Sequence, residues 1–495
     1  MTSIQTNDQR VANARNLIDS LSDCQDNARS YLFIGKPTPW TDDKEPPVPT
    51  NSIKEFYDVY HEILSLRRIY DENAFHMIPR FRWISGTTYD MYRHDYSDKN
   101  LSYTGAKNLV DCVFYVINQN DDVYVCLDNN LNVASIIEPQ NQSYEPFYTS
   151  DGYQWMRLFR VGNYAMLNYS TFDFIPITSD GANIDNYERT VGEILTAVID
   201  ARGENYTVNP GGVPNQITNY YCKIVGDGDG AVANVRVSAG RIVEIRIARG
   251  GSGYTYAKLD FVPNRVYRSL VDLDQEVNGL NPQGDGTFQS TVIISPPNGW
   301  GSDLPRQLGG FRVGLFSTLN YNLADFFPDT EFRQIGILQD PVPSNLLPPN
   351  PDTMSGVYAW TVSEIAGVDK FRIGEEIYQM IFDADKSVTH TARGIVVGWD
   401  ELEQILRYIQ IPAQHCDVDG KLYQFQAGDL IRGKTSQKLV EPFDYNGSLN
   451  GLTFRMGFAD KEIQPYTGKL TYLSNITPIQ RQPTQTERIS LIISF

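Results

Sequence analysis

The chain has 495 residues, of which 12% are aromatic (30 Tyr and 23 Phe among them), and it sets 42 basic against 60 acidic side chains, a formal net charge of −18. A surface this acidic repels phosphate backbones, so nucleic acid is excluded as an expected partner. With 41% hydrophobic and 21% charged residues the composition is that of a globular protein, not a disordered one, and the length calls for about two to four folding units.

The first predicted element is a helix, in which Val11, Ala14, Ile18 and Leu21 recur at helical spacing after the capping residues Asn7 and Asp8. The opening MTSIQTNDQR lacks a basic segment followed by an apolar one, so no export signal is expected. A second helix is predicted from Ser52, where Ser52 and Glu55 form a capping box. Ile53, Phe56, Tyr57, Tyr60, Ile63 and Leu64 then build one apolar stripe through about Arg68, suited to packing on a sheet.

From about Asn108 the period becomes that of strands. VFYVI (Val113 to Ile117) and DVYVCLD (Asp122 to Asp128) flank the turn-rich NQND, and further strands follow at Trp155 to Val161, Thr291 to Ile294, Phe311 to Phe316 and Gln334 to Leu338. The terminal ERISLIISF places Ile489, Leu491, Ile493 and Phe495 on one face, so the last strand is expected to pair with a partner distant in sequence.

Two stretches between these strands look inserted. The first, about 203–263, carries G-x-x-Y-T near both ends (Gly203, Tyr206, Thr207; Gly251, Tyr254, Thr255). Within it Ala231, Ala233, Val235 and Val237 alternate with polar residues, Ala239-Gly240 turns the chain, and Val243, Ile245 and Ile247 alternate back, giving a hairpin with a small-residue face. The second, about 355–461, repeats F-x-x-G-[ED]-x-I at Phe371 to Ile377 and Phe425 to Ile431, after a Pro-rich linker at Pro341 to Pro351.

The expected organisation is therefore an N-terminal helical region and arm (1–72), a core β domain in two parts (73–200 and 264–345), inserted β modules at 203–263 and 355–461, and closing core strands at 465–495. The expected fold class is mainly β (α+β), a multi-layer β-sandwich core with N-terminal helices and two small inserted β domains.

A search for chemistry assembles no site. His61-Glu62 begins like a zinc-protease motif, but Ser65 stands where the second His is required. His415-Cys416 has no second ligand pair nearby, and Asp227-Gly-Asp229-Gly230 lacks the closing Glu of a calcium loop. GGSG at Gly250 to Gly253 lacks the Lys of a phosphate loop. Five scattered cysteines (Cys24, Cys112, Cys126, Cys222, Cys416) read as reduced, mostly buried thiols. No apolar run approaches the ~20 residues of a membrane helix, so no membrane is expected. No metal, cofactor or catalytic residue is expected, although 60 acidic side chains leave a hidden carboxylate pair open.

Seven segments in order carry a resemblance: YLFIGKPTPW (Tyr31 to Trp40), IPRFRW (Ile78 to Trp83), VYVCLD (Val123 to Asp128), DGYQWMRLF (Asp151 to Phe159), FRQIGILQDPV (Phe332 to Val342), TGKLTYLSNITPI (Thr467 to Ile479) and TERISLIISF (Thr486 to Phe495). Through them the chain resembles the baseplate wedge proteins of T-even-type contractile-tailed bacteriophages, the product of their eighth gene. It is longer than that form, largely in the two inserted stretches. The resemblance implies a non-enzymatic homodimer that holds other baseplate wedge subunits and takes part in the rearrangement preceding sheath contraction. It also implies assembly in the bacterial host cytoplasm and a place in the virion, at the tail baseplate. Aromatic and arginine residues anchor interfaces more often than most, which singles out Trp40 in PTPW and Tyr89, Tyr92, Arg93 and Tyr96 in YDMYRHDY as interface candidates. The alternative is a tail-associated carbohydrate-binding or depolymerising protein, with the inserted modules meeting a host-surface glycan.

Overall fold

Aromatic and β-branched residues fit the pleated, half-buried surface of a sheet, and the computed structural model of the chain is 43% strand and 11% helix, a mainly β fold. It describes residues 4–22, 29–177, 190–206, 218–260, 266–267, 270, 284, 286–320, 327–344, 352–366, 370–382, 387–482 and 484–495. Cys24, Thr207, Pro263 and most of the Pro-rich linker (345–351) lie outside the described residues. The chain divides into two units, Met1–Asn16 with Phe75–Gly314 and Ile492–Phe495, and Leu17–Ala74 with Leu315–Leu491.

In the unit that contains Phe75–Gly314, the four-stranded sheet Tyr115–Ile117, Asp122–Asp128, Gln154–Arg160 and Phe147–Tyr148 is antiparallel in that order. The NQND turn joins its first two strands as expected, with Asp121 at φ 62° and Tyr115 opposite Val125. Both faces of Asp122–Asp128 are buried: Val123, Val125 and Leu127 join one core cluster, while Tyr124 and Cys126 join another with Trp155. Asp122 is itself only 2% exposed, and Arg157 reaches it through Nε at 2.8 Å and Nη2 at 2.6 Å.

The expected hairpin at Ala239-Gly240 is present as Val232–Ser238 paired with Arg241–Arg249. Its register departs from strict alternation. Val237 faces Ile242 and Arg236 faces Glu244, so Val243 is the extra residue of a bulge. Ile242 is consequently the fully buried residue there, and Val243 is only half-buried. The tyrosines of both G-x-x-Y-T motifs lie in this core. Tyr254 Oη donates to the Ile224 carbonyl and accepts from the Ala231 N–H, each at 3.2 Å. Tyr206 Oη accepts the Phe288 N–H at 3.3 Å.

The other unit carries a five-stranded sheet in the order Thr353–Ser355, Ile63–Arg68, Ser30–Gly35, Glu331–Gln339, Lys469–Gln480, antiparallel throughout. Here the second predicted helix is corrected: it runs only over Ile53–Glu62, and Ile63–Arg68 is a strand. Ser52 caps it as read, its hydroxyl accepting the Glu55 N–H at 3.1 Å. The run ILSL is buried at all four positions, which a strand between two others achieves and an amphipathic helix face does not. Phe33 lies opposite Gly336, where an added Cβ would stand 2.4 Å from its ring, so glycine makes room for the aromatic side chain.

Within Leu315–Leu491 the strands Ile405–Ile409, Val388–Asp400, Glu376–Phe382, Ile431–Gly433, Leu439–Pro442 and Tyr358–Ala366 pair in sequence, and the last pairs back to the first. That closes a six-stranded barrel. The repeated F-x-x-G-[ED]-x-I builds its middle: Phe371 and Phe425 fill the interior, and Ile377 and Ile431 are fully buried on paired strands. Gly374 and Gly428 turn the chain at φ 82° and 88°, a conformation that suits glycine.

The terminal strand, Glu487–Ser494, is paired as expected: it joins Arg312–Leu319 in a four-stranded sheet with Ala74–Pro79 and Phe174–Ile177. Ile489 and Leu491 are buried, and the Phe495 N–H donates to the Phe311 carbonyl at 3.2 Å.

Candidate assembly surfaces

The residues singled out from sequence occupy two different settings. Trp40 is half-buried in a loop tied down from several sides. Its Nε1 donates to the Ile476 carbonyl at 3.2 Å, its N–H donates to Asp43 Oδ1 at 2.8 Å, and the Lys36 ammonium lies 5.1 Å from its ring. Arg333, nearly fully buried, grips both Asp43 oxygens at 2.8 Å and the Pro37 carbonyl at 3.0 Å. That hydrogen-bonded guanidinium holds the Asp43 carboxyl below its usual range.

Tyr89, Tyr92, Arg93 and Tyr96 belong to one loop of the other unit and turn largely inward. Tyr89 and Tyr92 are 2% and 4% exposed. Tyr92 packs edge-on against Trp300 at 4.7 Å and bonds the Ile294 carbonyl at 3.3 Å. Tyr96 Oη donates to the Met91 carbonyl at 2.8 Å. Burial raises the phenol pKa of all three tyrosines. Arg93 forks onto Asp95 with two contacts of 2.9 Å. The aromatic density that drew attention to this loop serves its own core.

The surfaces that do face outward were not among those candidates. On the helix Asn163–Tyr169, Tyr164 and Leu167 are 71% and 75% exposed, and Phe172 just beyond is 91% exposed. Positions 164 and 167 share one helix face. The sequence signal for it is the helix NYAMLNY, which has no charged residue on any side. In the other unit Ile53 and Tyr57 project from the helix Ile53–Glu62, and Tyr466 stands edge-on to Tyr57 at 4.9 Å and to His61 at 5.5 Å. Part of the stripe read as sheet-facing is thus solvent-facing.

The motifs set aside from sequence have structural uses. Asp227 Oδ1 accepts the Thr255 and Tyr256 N–H groups at 2.9 Å each, and its Oδ2 accepts the Thr255 hydroxyl. These bonds lower its pKa to about 2 and account for both oxygens as turn acceptors. His415 Nδ1 accepts the Ile411 N–H at 2.7 Å, closing the short helix Pro412–His415 on itself. Among the described residues no three His, Cys, Asp or Glu side chains converge on a point that would hold a metal ion.

Residues 3–138 match the family model described as Bacteriophage T4, Gp8. The match takes in Tyr31 to Trp40, Ile78 to Trp83 and Val123 to Asp128, three of the seven segments that carried the resemblance. It supports the identification as a phage baseplate wedge protein, with the virion's tail baseplate as its place. No curated protein matches the chain.

Proposed function

We propose that this baseplate wedge protein works as a non-enzymatic homodimer that binds neighbouring wedge subunits and takes part in the rearrangement preceding sheath contraction. The observation that carries the reading is the set of outward-facing apolar side chains Tyr164, Leu167 and Phe172 on one short segment. Large apolar side chains gathered on a soluble surface are the usual mark of a protein interface, and a central aromatic anchor supplies much of its energy. The aromatic group of Tyr57 and Tyr466 offers a second docking surface of the same chemistry.

The stretches 203–263 and 355–461 fit the role of guest modules on this scaffold. Support for the second comes from its stem. The Ser355 N–H donates to Glu462 Oε2 at 2.7 Å and the Glu462 N–H donates to the Ser355 carbonyl at 2.9 Å, so the two ends of the stretch meet. A module whose termini touch can be accommodated within a host fold without disturbing it.

Sedimentation equilibrium tests the dimer. The expected mass is twice the 56.0 kDa of the chain, and Leu167→Asp with Phe172→Ser is expected to return it to the monomer with unchanged thermal stability. A wild-type monomer at micromolar concentration, or a protein missing from purified tails, overturns the reading.

A further inference from the structure

Two adjoining cavities in the unit containing Phe75–Gly314 are used by nothing described above. One, of about 360 Å³, is lined by Asp128, Tyr148, Arg202, Arg236, Glu244 and Arg246 among others. The second, of about 600 Å³, shares Tyr148 and Arg246 and adds Glu145, Gln154, Glu193 and Arg249. Both volumes fall in the ~300–1,000 Å³ range of small-molecule sites.

Taken over both cavities the lining is polar but balanced, with four arginines and four carboxylates. Three arginines face two carboxylates in the first cavity, and Arg246 and Arg249 face Glu145 and Glu193 in the second. Glu244 is committed to Arg236 at 2.7 Å and to Arg246. Asp128 is not so committed: among the described residues its carboxylate accepts one hydrogen bond, from the Asn130 N–H at 2.9 Å. Burial raises its pKa to about 6. Between the cavities the Tyr148 ring is held by its hydroxyl on the Ile245 carbonyl at 3.2 Å, with the Arg246 guanidinium 5.3 Å from its centroid.

Fixed cations in excess would select a phosphate or a polyanion. Guanidinium donors and carboxylate acceptors in equal number beside one aromatic ring instead match hydroxyl groups, each of which donates and accepts. We infer that these paired cavities form a binding groove for a neutral oligosaccharide of at least two sugar units, with Asp128 and the arginines meeting its hydroxyls and Tyr148 meeting a ring face. The inference names a ligand class for the scaffold; it rests on the baseplate reading only for where such a sugar would be met, on the bacterial surface.

The test is an array of neutral and acidic mono- to tetrasaccharide fragments of bacterial surface polysaccharides, probed with the full chain and confirmed by calorimetry on the neutral fragment that binds. Binding to neutral fragments of two or more units is expected, at least about tenfold weaker in Asp128→Asn and in Arg246→Gln, since a hydrogen bond to a charged group contributes about 1.5–3 kcal/mol. Wild-type affinity is also expected to fall as pH drops below about 6, as Asp128 takes up its proton. Both variants leave apolar packing untouched, and melting temperatures no lower than that of the wild type separate lost binding from lost folding. No binding to any fragment, binding confined to acidic fragments, or wild-type affinity in both variants overturns the inference. The dimer mass and the presence in tails are measured separately, so a silent array leaves the structural role standing, and the converse holds.

Discussion

Lys461 carries a charge where the fold gives it little support, and its removal is expected to stabilise the protein. The residue is 5% exposed. Its ammonium donates one long hydrogen bond, 3.3 Å to the His61 carbonyl, and lies 5.2 Å from the centre of the Tyr358 ring. Burial lowers its pKa from 10.5 to about 8, against the opposing pull of Asp460 and Glu62. A difference of that size means that keeping the side chain protonated near neutral pH costs the folded state about 3 kcal/mol. Lys461→Met keeps the length and removes the charge, but it leaves the His61 carbonyl short of a donor, which costs about 1 kcal/mol. The variant is therefore expected to be about 2 kcal/mol more stable near pH 7. Because the folded protein holds this proton less tightly than the unfolded chain, the wild type gains stability as pH rises from about 8 towards 10.5 and loses that gain below 8. The methionine variant lacks that part of the slope. Urea denaturation of both proteins between about pH 7 and pH 10 measures it. A variant less stable than wild type near pH 7, or one with the same slope above pH 8, refutes the reasoning.

Asp128 has the opposite sign. Its carboxyl titrates near 6 in the fold against an ordinary 3.8, so stability falls as pH rises between those values. Asp128→Asn should flatten the slope and add about 2–3 kcal/mol above pH 6 in the same denaturation experiment. Arg157→Met leaves the buried Asp122 carboxylate without its cation and should cost about 3–5 kcal/mol by urea titration. Gly336→Ala drives a methyl group to 2.4 Å from the Phe33 ring and 2.7 Å from the Tyr472 carbonyl, and should lower the melting temperature by an amount equivalent to about 1–3 kcal/mol.

Where local residues alone set the conformation, the sequence was a sufficient guide. NQND makes a turn because Asn and Asp tolerate left-handed backbone, and the Asn118 side chain accepts from the Asn120 N–H at 2.9 Å within it. The F-x-x-G-[ED]-x-I repeat names its own buried Phe, turning Gly and core Ile, and those roles hold in both copies. The terminal strand was legible because the apolar face built by Ile489, Leu491, Ile493 and Phe495 demands a partner sheet. What alternation did not reveal was the register shift that buries Ile242 in place of Val243, since a bulge depends on the opposing strand.

Which aromatic rings face outward was the least legible feature. YDMYRHDY and NYAMLNY both carry several tyrosines, yet the first wraps its rings against Trp155 and Trp300 while the second presents Tyr164 to solvent. Composition and pattern along the chain determined that this protein is made of strands and that a short strand–turn unit recurs in it. Only tertiary structure decided where the apolar stripe after Ser52 changes from helix to strand and which aromatic rings remain outside. The physical reason is that burial is a property of what lies opposite a side chain, and residues 31, 66 and 338, which share one core, are far apart in sequence.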